Sequence, residues 1–123
     1  MKARTKSIIH WGLGGLVGFI FMGSAMSKFL GAPEAIQMAE GIGLTIDTFK
    51  VLGIIELTSA ILFMIPRTGI LGTLLLGAYM GGAIAVHLTH GLSVMAPAFI
   101  EAIIWTVAVV RFPELRNRLF NNQ

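Results

Sequence analysis

The sequence predicts an all-α integral membrane protein: a four-helix bundle, up and down, with a short interfacial helix between helices 1 and 2. Three observations predict it. Of the 123 residues, 55% are hydrophobic and 12% are charged, whereas an average soluble domain is about a quarter charged. The apolar residues fall in four runs near the ~20 residues that a helix needs to cross the hydrocarbon. The basic residues gather on one side of those runs, as topology signals do.

The first span is expected over residues 8–30. Lys2, Arg4 and Lys6 precede it, and Gly23-Ser24-Ala25 could pass for a cleavage site. The run is longer than the apolar part of a signal peptide, and three more apolar segments follow, so it is read as a retained span. The link over residues 31–47 is too short to cross. Pro33 can open a short helix there, and Ile36, Met38 and Ile42 are apolar enough to rest at the interface.

The second span is expected over residues 48–65 and the third over 68–89. Pro66-Arg67-Thr68-Gly69 joins them as a tight turn, which makes an antiparallel hairpin. Gly91 is a natural helix stop after the third span. The fourth span is expected over residues 96–112, with Pro97 in its first turn. After Pro113, ELRNRLF reads as a short surface helix. The whole chain is expected to form a single transmembrane domain.

Lys and Arg set the orientation. Lys2, Arg4, Lys6, Arg67, Arg111, Arg116 and Arg118 fall on one side, and Lys28 and Lys50 on the other. The positive-inside rule then places both termini in the cytoplasm. The net charge of +3 is therefore a membrane signal and does not point to nucleic acid. Gly14/Gly18 and Gly77/Gly81 are GxxxG pairs. They read first as close packing within one subunit and second as a homodimer face.

The residue that carries most functional information is Glu56, inside VLGIIELTSAILFMI. An acid there costs a few kcal/mol if it faces lipid, so it is expected to face a polar interior. At ~1.5 Å per helical residue, Lys28, Glu56, His87, His90 and Glu101 all fall in the outer half of the membrane, on four helices. Tyr79, Ala83, His87 and His90 follow a helical stripe, i, i+4, i+8 and i+11. The candidate cluster is thus Lys28, Glu56, Tyr79, His87, His90 and Glu101.

Each has a plainer reading. Lys28 can snorkel, His90 and Glu101 can meet headgroups, and His87 can be a core histidine bonded to a carbonyl. His87, His90, Glu56 and Glu101 together offer two imidazoles and two carboxylates, a donor set for zinc, iron or manganese. A carboxylate–histidine pair for proton relay or for a polar ligand is the preferred reading over a metal. With no cysteine, the chain has no thiolate-bound metal or iron–sulfur cluster of its own.

The chain resembles the DoxX-like family of small four-helix membrane proteins. The resemblance rests on GSAMSKFLGAPE, VLGIIEL, IPRTGILGTLLLGAYMGGAIAVHL and RFPELR, in that order. Lys28, Glu56, Tyr79 and His87 match the family pattern. The resemblance implies a four-helix integral membrane fold in a bacterial inner membrane and little about activity; some relatives are linked to redox or stress complexes and more distant ones to receptor assembly. Three functions are then expected in order. The first is binding a small amphipathic ligand, a quinone or a lipid, or supporting a partner membrane subunit. In it, Met22, Phe63 and Trp105 would line the apolar part of the site. The second is a quinone-linked oxidoreductase subunit, with Glu56 and His87 passing protons. The third is a small proton-coupled transporter.

Overall fold

The computed structural model describes residues 2–120. They form six α-helices: α1 Ala3–Leu30, α2 Pro33–Gly41, α3 Ile46–Met64, α4 Gly69–Thr89, α5 Met95–Arg111 and α6 Pro113–Phe120. A 3-10 turn, Pro66–Thr68, joins α3 to α4. Among the described residues there is no strand.

Six helices stand where the fold class named four and one interfacial helix; the sixth is α6, the short helix that ELRNRLF suggests, and it turns from α5 by 106°. Pro113 causes the break, because it cannot donate to the preceding turn and disfavours helical geometry before it. Two segments, Ala3–Leu30 and Pro66–Thr89, are long and apolar enough to cross a membrane, and a third qualifies only if the bent α5–α6 pair counts as one span. Helix α3 holds Asp47, Lys50 and Glu56 within 19 residues, more ionisable groups than a plain apolar span carries. Helix α5 is short, at 17 residues.

Local chemistry explains the ends. Helix α1 begins five residues before residue 8, since Ala, Arg and Lys are good helix formers. It stops at Gly31, whose φ of 65° is left-handed and whose N–H donates to the Ser27 carbonyl, a glycine C-cap. Helix α3 starts at Thr45, whose side chain accepts from the Thr48 N–H at 3.2 Å, a common N-cap. Gly91, with φ 68°, follows α4 as the sequence suggests.

Helices α1, α3, α4 and α5 pack in a ring: α1 on α3, α3 on α4, α4 on α5, and α5 back on α1. The core, including Val17, Phe21, Phe63, Leu76, Ile104 and Phe112, fills the half of the ring nearest the α3–α4 turn. There α3 and α4 nearly touch: a methyl group at Gly72 would collide with the Phe63 backbone. Three of the four GxxxG glycines face neighbours in the same chain, Gly14 against Arg111, Gly18 against Met64 and Gly77 against Trp105 and Glu101, while Gly81 faces open space. At the other end, α2 lies across the ring. Its Ala35, Ala39 and the following Ile42 pack on Phe49, Leu52 and Val86.

Candidate functional site

Helix α3 presents Glu56 inward, and α1 presents Lys28 to it. Lys28 Nζ donates to Glu56 Oε1 at 2.9 Å and to Ser24 Oγ at 2.7 Å. The two charged residues are 7% and 2% exposed, so water does not screen them. Sequence makes this pairing possible in two ways. Ser24 stands one helical turn before Lys28. Gly53 stands almost one turn before Glu56, where a side chain would press on the Lys28 stem, whose Cβ lies 3.3 Å from where that side chain would begin. The ammonium also sits 5.1 Å from the centre of the Phe49 ring, a cation–π contact.

Beside this pair the ring is hollow. A cavity of about 580 Å³ is bounded by α1, α3, α4 and α5, a volume within the range of small-molecule sites. Lys28 and Glu56 line it together with Ser24, Tyr79 and His87, and the rest of its wall is chiefly apolar. Met38 and Ile42, with Leu44 beyond them, roof it at the α2 end. Ile55 and Leu75 line it too, yet they are 46% and 38% exposed on the outer wall. Lining residues Ile20 on α1 and Met38 on α2 are likewise 38% and 52% exposed, so the wall of the hollow is thin on several sides.

The structure brings together four of the six residues the sequence singles out, Lys28, Glu56, Tyr79 and His87, and leaves two outside. His87 Nδ1 bonds the Ala83 carbonyl at 2.6 Å. A carbonyl only accepts, so Nδ1 carries a proton, and a ring with that single proton has Nε2 as an acceptor. His90 leaves the stripe because α4 ends at Thr89. Its exposed ring folds back on the Val86 carbonyl at 3.0 Å. Glu101 is half-buried between α4 and α5 and accepts from Trp105 Nε1 at 2.8 Å. It is a local i, i+4 pair that does not line the cavity.

The same placement separates the four metal-donor candidates. Among the described residues, no three His, Asp or Glu side chains come together in a group that could hold a metal, so His87, His90, Glu56 and Glu101 are not one donor set. The apolar lining also differs. Met22 is exposed on the outer wall, Phe63 is buried in the core, and neither they nor Trp105 touch the cavity.

Two residues escape the sequence reading. Phe49 is one, since an aromatic at the start of α3 has no local mark of a cation partner. Arg111 is the other. Counted as a tail charge, it is 4% exposed. Nη1 donates to the Phe63 carbonyl at 3.0 Å and Nη2 to that of Met64 at 3.3 Å. Nη2 also bonds His10 Nε2 at 3.2 Å. It stitches the end of α3, where helix carbonyls lack partners, to α5 and α1.

An apolar helical ring around a desolvated ion pair defines a helical membrane protein with an internal polar site. It belongs to the DoxX-like family, whose pattern matches residues 12–110. No curated protein and no solved structure matches the chain.

Proposed function

We propose that this protein holds a small amphipathic molecule, of the quinone or lipid kind, in the cavity beside Lys28 and Glu56. The observation that carries the reading is one hollow of about 580 Å³ with a mostly apolar wall and five polar side chains converging on it. That is the usual form of a ligand site. An ion pair alone would need no such space. Lining residues such as Ile55, Leu75 and Ile20 are partly exposed on the outer wall of the bundle, which suits a ligand that arrives from the bilayer with its tail trailing.

The same reading takes α1, α3, α4 and α5 as four spans of a bacterial cytoplasmic membrane. Large apolar side chains point outward on all four: Phe19 on α1, Ile54 on α3, Leu74 on α4 and Phe99 on α5. Water would not favour that surface, and lipid would. Both termini and the α3–α4 turn then lie on the cytoplasmic side. With Arg111 and Lys28 removed from the count as buried, six basic residues remain at that end and Lys50 alone at the other. The chain has no cysteine of its own, so single cysteines report topology cleanly. In intact cells a membrane-impermeant maleimide should label Ser93→Cys and spare Arg67→Cys; the reverse pattern would invert the orientation.

Mass spectrometry of small molecules released from protein purified out of native membranes tests the function. Wild type should carry a lipophilic species in near-stoichiometric amount. Ala83→Phe, which puts a ring into the hollow, should lose most of it while keeping its melting point within a few degrees. Equal recovery from both proteins would remove the cavity as the site.

A further inference from the structure

We propose that the cavity selects a neutral head that donates hydrogen bonds, such as a phenol, hydroquinone or alcohol, over an anionic head or a neutral head without a donor. The proposal rests on the cavity reading above and adds the chemistry of recognition.

Charge balance is the first argument. Among the described residues lining the cavity, Lys28 is the one fixed cation and Glu56 the one fixed anion, and they are spent on each other at 2.9 Å. A carboxylate or phosphate head would enter a desolvated space with no free cation to meet it. It would either stay unpaired or compete with Glu56 for one ammonium. Both carry the large penalty of a buried charge without its partner. An ammonium head meets the mirror problem, since the Glu56 carboxylate already holds Lys28.

The second argument is the count of free donors and acceptors. An ammonium has three N–H donors. Lys28 gives one to Ser24 and one to Glu56 and rests on the Phe49 ring. The Glu56 carboxylate has about four lone-pair sites, of which Lys28 occupies one, so it keeps acceptor capacity. His87 donates its Nδ1 proton to Ala83, which leaves Nε2 as an acceptor. Among the described residues the Tyr79 hydroxyl is in none of the side-chain hydrogen bonds at this site, and it can give one and take others. The donors left open are the Ser24 hydroxyl, which only accepts from Lys28, the Tyr79 hydroxyl and one Lys28 N–H, against about three Glu56 sites, the His87 nitrogen and the Tyr79 oxygen, so open acceptors outnumber open donors. A head with O–H groups satisfies them, and an ether or ester head leaves them bare.

Three probes with one ring and one tail separate these terms: para-dodecylphenol, para-dodecylbenzoate and para-dodecylanisole. Binding to the full chain in lipid nanodiscs is measured by calorimetry, with empty nanodiscs subtracted. The phenol should bind roughly ten- to hundredfold tighter than either of the others, the worth of one hydrogen bond to a charged group. Tyr79→Phe should shrink the gap between phenol and anisole without changing the melting point. An anisole that binds as well as the phenol would overturn the donor preference, and a benzoate that does so would overturn the charge argument. In both cases the cavity would still stand as a binding site. No binding by any probe, with the Ala83→Phe comparison also flat, would remove the site together with its selectivity.

Discussion

Glu56→Leu is expected to lower stability by about 3 kcal/mol, because it strands the Lys28 ammonium in a dry interior. Ser24 and the Phe49 ring would remain its company, and neither carries a negative charge. Lys28→Met should be comparably harmful by stranding the carboxylate. The double variant Lys28→Met/Glu56→Leu is the informative one. Removing both charges together should return stability to within about 1 kcal/mol of wild type, as it does for other buried pairs. Its cavity would nonetheless have lost its polar groups, so ligand recovery should stay low. Thermal unfolding of the four proteins in one detergent checks this. Additive losses in the double variant would mean that the two side chains act separately. A double variant near wild-type stability marks the pair as a functional element and not as a source of stability.

The second large effect is at Gly72. A β-carbon there would meet the Phe63 backbone nitrogen and Cα and the Leu62 carbonyl carbon. Backbone cannot swing aside as a side chain can, so α3 and α4 would have to part. Gly72→Ala should cost roughly 1–3 kcal/mol, the usual range for overpacking, and Gly72→Val more. Gly15→Ala is the control. Nothing lies within 4 Å of its β-position, and alanine is the better helix former by about 1 kcal/mol, so its melting point should hold or rise. Equal behaviour of the two alanine variants would contradict the close α3–α4 approach. Gly18 is an intermediate case, since its neighbour is the flexible Met64 side chain.

These residues show how far sequence could be read. The long helices were legible because apolar runs, Pro33, Pro66, Gly91 and Pro113 mark their limits locally. Glu56 was legible because an acid in an apolar run has few tolerable surroundings. Lys28, Tyr79 and His87 followed from depth and helical phase, which survive folding. His90 lies away from the cavity for a local reason: the stripe assumes that the helix continues, and α4 ends one residue earlier. Glu101 also lies off the cavity, where it accepts from Trp105, one turn along the same helix. Arg111 was illegible because its partners are carbonyls 47 and 48 residues away, and a backbone acceptor leaves no trace in side-chain spelling. Span number was the softest inference, since α3 and α5 owe their place to packing in the ring more than to length and hydropathy.

The most direct test is photolabelling in native membranes with a phenol-headed, diazirine-bearing alkyl probe, followed by peptide mapping. Adducts are predicted near the polar end of the hollow, on the segments holding Phe21, Ser24, Tyr79 and Ala83, with strong loss in Ala83→Phe. Labels spread over outward residues such as Phe19, Leu74 and Phe99, and unchanged by that substitution, would show that the probe only coats the bundle and that the hollow takes no ligand.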